Sequence, residues 1–209
     1  MEKVSYNELR KLARSDAEGK KKIAVIGDCA TQQFATAIRG ESIRREYPLT
    51  VMDCDYDQME AQLLDAESKV YAFQPDYILL FASAEKLKKR FYDQPVAERE
   101  AFAEQESQRF QMLWQAVSRH SNAKILMFDF PEEEDAVFGS YGLRTKASFS
   151  YQLRRLNMML SEAAAESYPM VYPLALSALQ AVIGRSAFFE NRTWYLAKMA
   201  VCTDALPAV

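Results

Sequence analysis

The sequence predicts an α/β protein, a three-layer α/β/α sandwich built on a five-stranded parallel sheet of flavodoxin-like order. Two observations carry that prediction. Short continuous apolar runs such as 23–26 and 76–82 have the composition of strands covered on both faces. Between them lie stretches of helical periodicity with their own start and stop residues. Such an alternation of strand and helix folds with right-handed crossovers and helices on both faces of the sheet.

The elements follow in chain order. Ser5 and Glu8 predict a capping box opening a helix that runs to about Asp16, with Gly19 ending the segment. Residues 1–20 are thus expected to form an N-terminal helix ahead of a domain spanning 21–209. Strand one is 23–26. A helix over 31–39 is expected to stop at Gly40, and a second one over 41–47 at Pro48. Strand two is 49–52, and Asp53, Asp55 and Asp57 after it read as turn and cap carboxylates, because a calcium loop needs a further Gly and a distal Glu. Helical stretches at 57–64 and 68–73 lead to strand three, 76–82. A short lysine-rich helix, 85–91, precedes a long one from Pro95 to His120 whose buried stripe is Phe102, Phe110, Leu113, Trp114 and Val117. Strand four is 124–130. The acidic run 132–135 and the region 139–142 form the longest loop, followed by a helix over 148–166, strand five at 170–172 and a helix over 174–183 ended by Gly184.

Bulk properties narrow the classes of function. A chain of 209 residues suffices for one sizeable domain and is short for two. Its formal charge of -3 supplies no basic field for nucleic acid or an anionic membrane, so neither partner is expected. No apolar run approaches the roughly 20 residues that span a bilayer. The polar start Met1-Glu2-Lys3-Val4 lacks a secretory pattern, and Cys29, Cys54 and Cys202 are odd in number with no CxxC spacing. Free thiols in a reducing cytoplasm are the expectation, with no metal site.

Ligands of open α/β sheets sit in the crevice outside the strand carboxyl ends, which places Gly27, Asp28, Cys29, Thr31 and Gln32, with Ser83 after strand three, at the candidate site. Near the C-terminus, Arg192, Tyr195 and Lys198 are spaced three apart and share one face if helical, a candidate anion or partner site folded back beside Asp28 and Thr31. Lys86, Lys88, Lys89 and Arg90 after strand three read as a solvated face or an attractor of an acidic carrier protein. The acidic run 132–135 reads as a solvated loop.

The pattern Ile26-Gly27-Asp28-Cys29-Ala30-Thr31-Gln32-Gln33-Phe34, the stretches 54–60 and 64–76, and the closing segments 183–185 and 194–199 together resemble the N-terminal domain of FkbH-type proteins, of subfamily IIIC of the haloacid-dehalogenase (HAD) superfamily. The resemblance runs from about Lys22 to the C-terminus. It implies an SGNH-hydrolase-like fold, followed in the complete protein by a HAD domain. Some family members load a phosphoglycerate-derived glyceryl unit onto an acyl carrier protein. Phosphotransfer and Mg2+ belong, on this resemblance, to the HAD half, and no cofactor is expected here.

SGNH hydrolases carry Gly-Asp-Ser at the end of strand one, with Ser as nucleophile; here Gly27-Asp28-Cys29 puts a thiol there. A cysteine near a helix N-terminus can ionise to a reactive thiolate. Its partners are missing, however. The Asp-x-x-His that those hydrolases carry near the C-terminus is replaced by Glu190-Asn191-Arg192-Thr193-Trp194, and the single histidine, His120, belongs to the opposite edge of the sheet. The Gly-x-Asn-Asp motif after strand three is replaced by Ala82-Ser83-Ala84-Glu85. A lost base and a lost oxyanion donor each remove orders of magnitude in rate. The expected reading is a non-catalytic or vestigial SGNH-like domain presenting a substrate, a carrier protein or the HAD domain at the strand carboxyl ends, with Cys29 a small residue filling the turn. The alternatives are an esterase or acyltransferase using Cys29 and Asp28, with Ser83 a weaker nucleophile, and a structural or dimerisation scaffold.

Overall fold

A computed structural model describes residues 4–15 and 19–209. Five strands, β1 (Lys21–Gly27), β2 (Leu49–Asp53), β3 (Tyr77–Phe81), β4 (Lys124–Phe128) and β5 (Val171–Leu174), form one sheet in the order β2-β1-β3-β4-β5, every neighbouring pair parallel. This is the flavodoxin-like order. Side chains alternate across each strand, so Ala24, Ile26, Ile78 and Leu80 enter one core while Ile23, Val25, Leu79 and Phe81 enter the other. The first core lies beneath α5 (Ala84–Asp93), α6 (Phe102–His120) and α7 (Phe149–Glu166), and contains Phe91, Phe102, Phe110, Trp114 and Phe149. The second lies beneath α1 (Tyr6–Leu12) and α2 (Gln32–Arg44), and contains Leu9, Phe34, Phe188, Val201 and Leu206.

The first helix ends at Leu12 with Ala13 as its C-cap and residues 13–15 in turns, short of the expected end near Asp16, a residue that itself lies outside those described. Its capping box is present, with Ser5 N–H donating to Glu8 at 2.7 Å and Glu8 N–H donating to Ser5 Oγ at 3.3 Å. Gly19 is engaged by Thr50, to whose hydroxyl its N–H donates at 3.2 Å, and is not a helix stop.

Gly40 does not end a helix either. α2 runs through it without a break, because α1 crosses at that point: a Cβ at Gly40 would stand 2.1 Å from the Leu9 carbonyl oxygen. Glycine is there for close approach, a use that overrides its poor helix propensity. Two short helices, α3 (Met59–Leu64) and α4 (Lys69–Phe73), lead to β3. The segment after Pro95 begins as a 3-10 turn, Val96–Ala101, before α6. Beyond β5, α8 (Leu176–Ile183) stops at Gly184, and α9 (Arg185–Phe188) and α10 (Asn191–Ala197) return to the carboxyl edge of the sheet.

Candidate functional site

The turn leaving β1 packs tightly. A Cβ on Gly27 would meet Thr31 Cγ2 at 2.6 Å and the Phe81 carbonyl oxygen at 2.9 Å, so glycine brings β1, β3 and the start of α2 together. Asp28 is 3% exposed; its Oδ1 accepts the Ser83 N–H at 2.8 Å, and its buried Oδ2 has no hydrogen-bond partner. Burial raises its pKa, with the Ser83 bond working against that rise. Ser83 is committed twice, its hydroxyl also accepting the Lys86 N–H at the start of α5.

Cys29 is wholly buried, and its thiol faces the Phe81 carbonyl at 3.7 Å. Its pKa stands well above the ordinary thiol value, chiefly through burial, with the charges of Asp28 and Glu85 adding to it. The start of α2 therefore does not activate this thiol. Burial and like charge outweigh the helix terminus.

Above this buried turn opens a cleft of about 1180 Å³, walled by Tyr56, Glu85, Lys86, Lys88, Glu133, Arg185, Trp194, Tyr195 and Lys198 among others. Of the sequence-derived candidates, Tyr195 and Lys198 line it; Gly27, Asp28, Cys29, Thr31 and Ser83 are buried in the turn and are not among its walls. Gln32, exposed at the start of α2, and Arg192, exposed on α10, are not among its walls. The C-terminal segment does fold back as expected: Ala30 N–H donates to the Lys198 carbonyl at 2.9 Å. Lys198 adopts φ of 55°, left-handed backbone at a residue other than glycine, and its ammonium lies 5.5 Å from the Trp194 ring centroid and 5.8 Å from that of Tyr195.

Three charged stretches differ from the expectation of solvated or capping roles. In the acidic run, successive residues point to opposite sides of an extended segment: Glu132 and Glu134 are exposed, while Glu133 turns inward to Lys88 at 3.7 Å and Arg185 at 3.5 Å. Asp135 accepts the Tyr92 hydroxyl at 2.6 Å. Lys86 and Lys88 face the cleft rather than solvent, Lys86 pairing with Asp57 at 2.5 Å. Asp55 and Asp57 hold Lys69 and Lys86 instead of capping α3, whose N-cap is Gln58.

Sequence reasoning passed over Glu85 except as a departure from a motif. Its Oε2 is buried without a partner, and its pKa is pushed up to about 8, chiefly by burial and then by the charges of Glu133 and Asp28. A carboxyl two residues beyond the serine that caps a helix, just after a strand at the crevice side of the sheet, is the signal that would have found it. Asp129 was also missed; it caps α8, accepting the Ser177 N–H at 2.8 Å.

His120 stands at the other end of the sheet, 5.3 Å from the Tyr71 ring and close to the amino ends of β1, β3 and β4, as the sequence placed it. Among the described residues no cluster of three or more His, Cys, Asp or Glu could hold a metal ion, and no helix is long and apolar enough to cross a membrane.

A family model described as the FkbH N-terminal domain matches residues 22–209. Among solved structures, the chain is similar to the N-terminal part of a Bacteroides fragilis protein containing a phosphatase domain, complexed with Mg, at 30% identity and a TM-score of 0.89, over 98% of this chain and 54% of that one. The chain thus spans about half the length of that relative. It also superposes on a lipase/acylhydrolase from Enterococcus faecalis, at 14% identity and TM-score 0.54 over 82% of this chain and 84% of that one. An acetyl xylan esterase from Geobacillus stearothermophilus gives 11% identity and 0.55, over 92% of each chain. At those identities the likeness is one of fold: a five-stranded parallel sheet of SGNH-hydrolase type. No curated protein matches. The chain belongs to the FkbH N-terminal domain family.

Proposed function

We propose that the chain is a binding domain with the fold of an SGNH hydrolase and without its acyl-transfer chemistry. Its cleft presents a substrate, a carrier protein or a HAD-type phosphatase domain at the strand carboxyl ends, the Mg2+ of such an assembly belonging to the phosphatase. The observation that carries this is the state of Cys29: buried completely, facing a carbonyl and held protonated by burial and by its neighbours' charges. A nucleophile must be ionised or have a base beside it. The single imidazole of the sequence lies at the opposite end of the sheet. The rim of the cleft supports a macromolecular partner, since Val137 and Tyr195 are large apolar side chains left exposed on its walls. The 54% coverage of the phosphatase-containing relative supports a following catalytic domain as one such partner.

The test is turnover of short-chain p-nitrophenyl esters and acyl-thioesters by the purified chain beside Cys29→Ala. Both proteins are expected to be as inert as buffer. Thiol-dependent turnover that disappears in a folded Cys29→Ala would establish the esterase or acyltransferase reading instead.

A further inference from the structure

Most charges of the cleft are paired; among its carboxyls, Asp135 is held by the Tyr92 hydroxyl rather than by a cation. Lys86 is paired with Asp57, Lys88 with Glu133, Lys89 with Asp93, and Arg185 with Glu133 and Glu134. Among the described residues, Lys198 is the one cation lining the cleft that pairs with no carboxylate; its ammonium rests over Trp194 and Tyr195. The backbone hydrogen bond to Ala30 and the left-handed conformation fix the main chain from which it projects.

Glu85 is the complementary case. It lines the same cleft, yet no cation pairs with it and one of its oxygens is buried without a partner. The charged groups that face it are Asp28 from the turn after β1, Glu133 from the loop after β4 and Arg185 from α9; Arg185 is already drawn to Glu133. Burial first, and then two carboxyls against one committed guanidinium, leave its own carboxyl better off with a proton. A protonated carboxyl is a hydrogen-bond donor.

We propose that the cleft is a receptor for a small monocarboxylate with an apolar body, Lys198 supplying the countercharge, Glu85 donating a hydrogen bond, and the aromatic side chains of Tyr56, Trp194 and Tyr195 accommodating the hydrocarbon part. One unpaired ammonium compensates one negative charge, so a phosphate dianion is left undercompensated. The inference rests on the cleft being a binding site, and it adds the ligand's charge, its polarity and a pH response. Glu85 must carry its proton to donate. Binding is therefore full below the pKa of about 8 and falls as pH rises through it.

The probe is sodium butyrate, with inorganic phosphate and butylammonium in parallel arms at constant ionic strength. The amide resonances of Ala30 and Lys198 report binding. Butyrate is expected to move them saturably at pH 6.5 and to bind about tenfold more weakly at pH 9, the protonated fraction having dropped by that factor. Glu85→Gln, which keeps a neutral donor, is expected to bind with a flat pH profile, and Lys198→Ala to bind at least about tenfold more weakly. Phosphate or butylammonium binding as tightly as butyrate would overturn the proposal. A wild-type profile without pH dependence between 6.5 and 9 would do the same and requires no variant to fold. Butyrate failing while Cys29→Ala and the parent both stay inert toward esters removes the carboxylate assignment alone; ester turnover that depends on Cys29 removes the binding-domain reading beneath it.

Discussion

The two ends of one parallel sheet carry the same residue types in opposite physical states. At the amino end, Asp76 precedes β3 and accepts the Lys21 ammonium at 2.5 Å and the Lys22 N–H at 2.8 Å, while the Lys22 ammonium reaches the Phe73 carbonyl at 3.1 Å. Lys21 and the Lys22 N–H hold that carboxyl below the ordinary range. At the carboxyl end, Asp28 and Glu85 each keep a buried oxygen without a partner, and burial raises both. Paired polar groups at one end complete the fold. Unpaired ones at the other are a cost that folding does not require, and of the two only Glu85 lines the cleft, where the proposed ligand would meet it.

The largest expected effect tests whether the carboxyl-end turn is built to close tolerance. Gly27→Ala forces its Cβ against Thr31 and the Phe81 carbonyl. It is expected to cost about 2–3 kcal/mol, lowering Tm by roughly 5–10 °C in a thermal melt. A variant as stable as the parent would mean that this end is loosely packed, and the contrast between the ends would weaken.

Next in size is Glu85→Gln. With its folded pKa raised from the usual 4.5 to about 8, Glu85 binds a proton more tightly in the folded state, so stability falls as pH rises between those values and levels off above. Removing the ionisable group is expected to stabilise the protein at pH 8 by on the order of 1 kcal/mol or more, with the difference vanishing near pH 4. Melts at pH 5 and pH 8 check it; equal offsets at the two would show that Glu85 is ordinary.

The fold was legible because β1, β3 and β4 carry apolar runs and helical stretches separate all five strands, an alternation that is enough to predict a parallel sheet. Gly40 was misread for a physical reason: a glycine near a helix end looks like a stop unless the helix crossing it is known, and Leu9 lies far away in sequence. The turn at Asp28 and Cys29 was legible as a strand end followed by a helix. The state of those side chains was not, since their burial comes from Phe81, Ser83 and the returning segment at Lys198. Glu133 looked like one of four solvated acids; only the positions of Lys88 and Arg185 turn it inward. Lys198 was picked out as part of a helical face with Arg192, and the structure keeps Lys198 in the cleft while Arg192 stays outside.

A pair of isosteric changes compares the two ends directly. Asp28→Asn keeps the oxygen that accepts the Ser83 N–H and removes a carboxyl whose ionisation burial opposes, so stability at pH 7 and above is expected to rise. Asp76→Asn is expected to lower it, because a carboxyl with a depressed pKa contributes above the ordinary carboxylate range and loses that contribution as pH falls through its folded value. The two changes carry opposite signs in melts at neutral pH; matching signs would sink the contrast.

The smallest effect is read by thiol labelling. Cys202 is half-buried and Cys29 wholly so, and iodoacetamide at pH 8 is expected to modify Cys202 first and Cys29 only with unfolding, as peptide mapping would record. Rapid modification of Cys29 in the folded protein would restore it as a nucleophile.

The most direct measurement of the central claim is a side-chain carboxyl titration by carbon-13 NMR, with Glu85→Gln and Asp76→Asn assigning the resonances. Glu85 is expected to titrate near pH 8 and Asp76 below the ordinary carboxylate range. A Glu85 resonance that titrates among the ordinary carboxylates would contradict the account, because the carboxyl end of the sheet would then be as fully satisfied as the amino end.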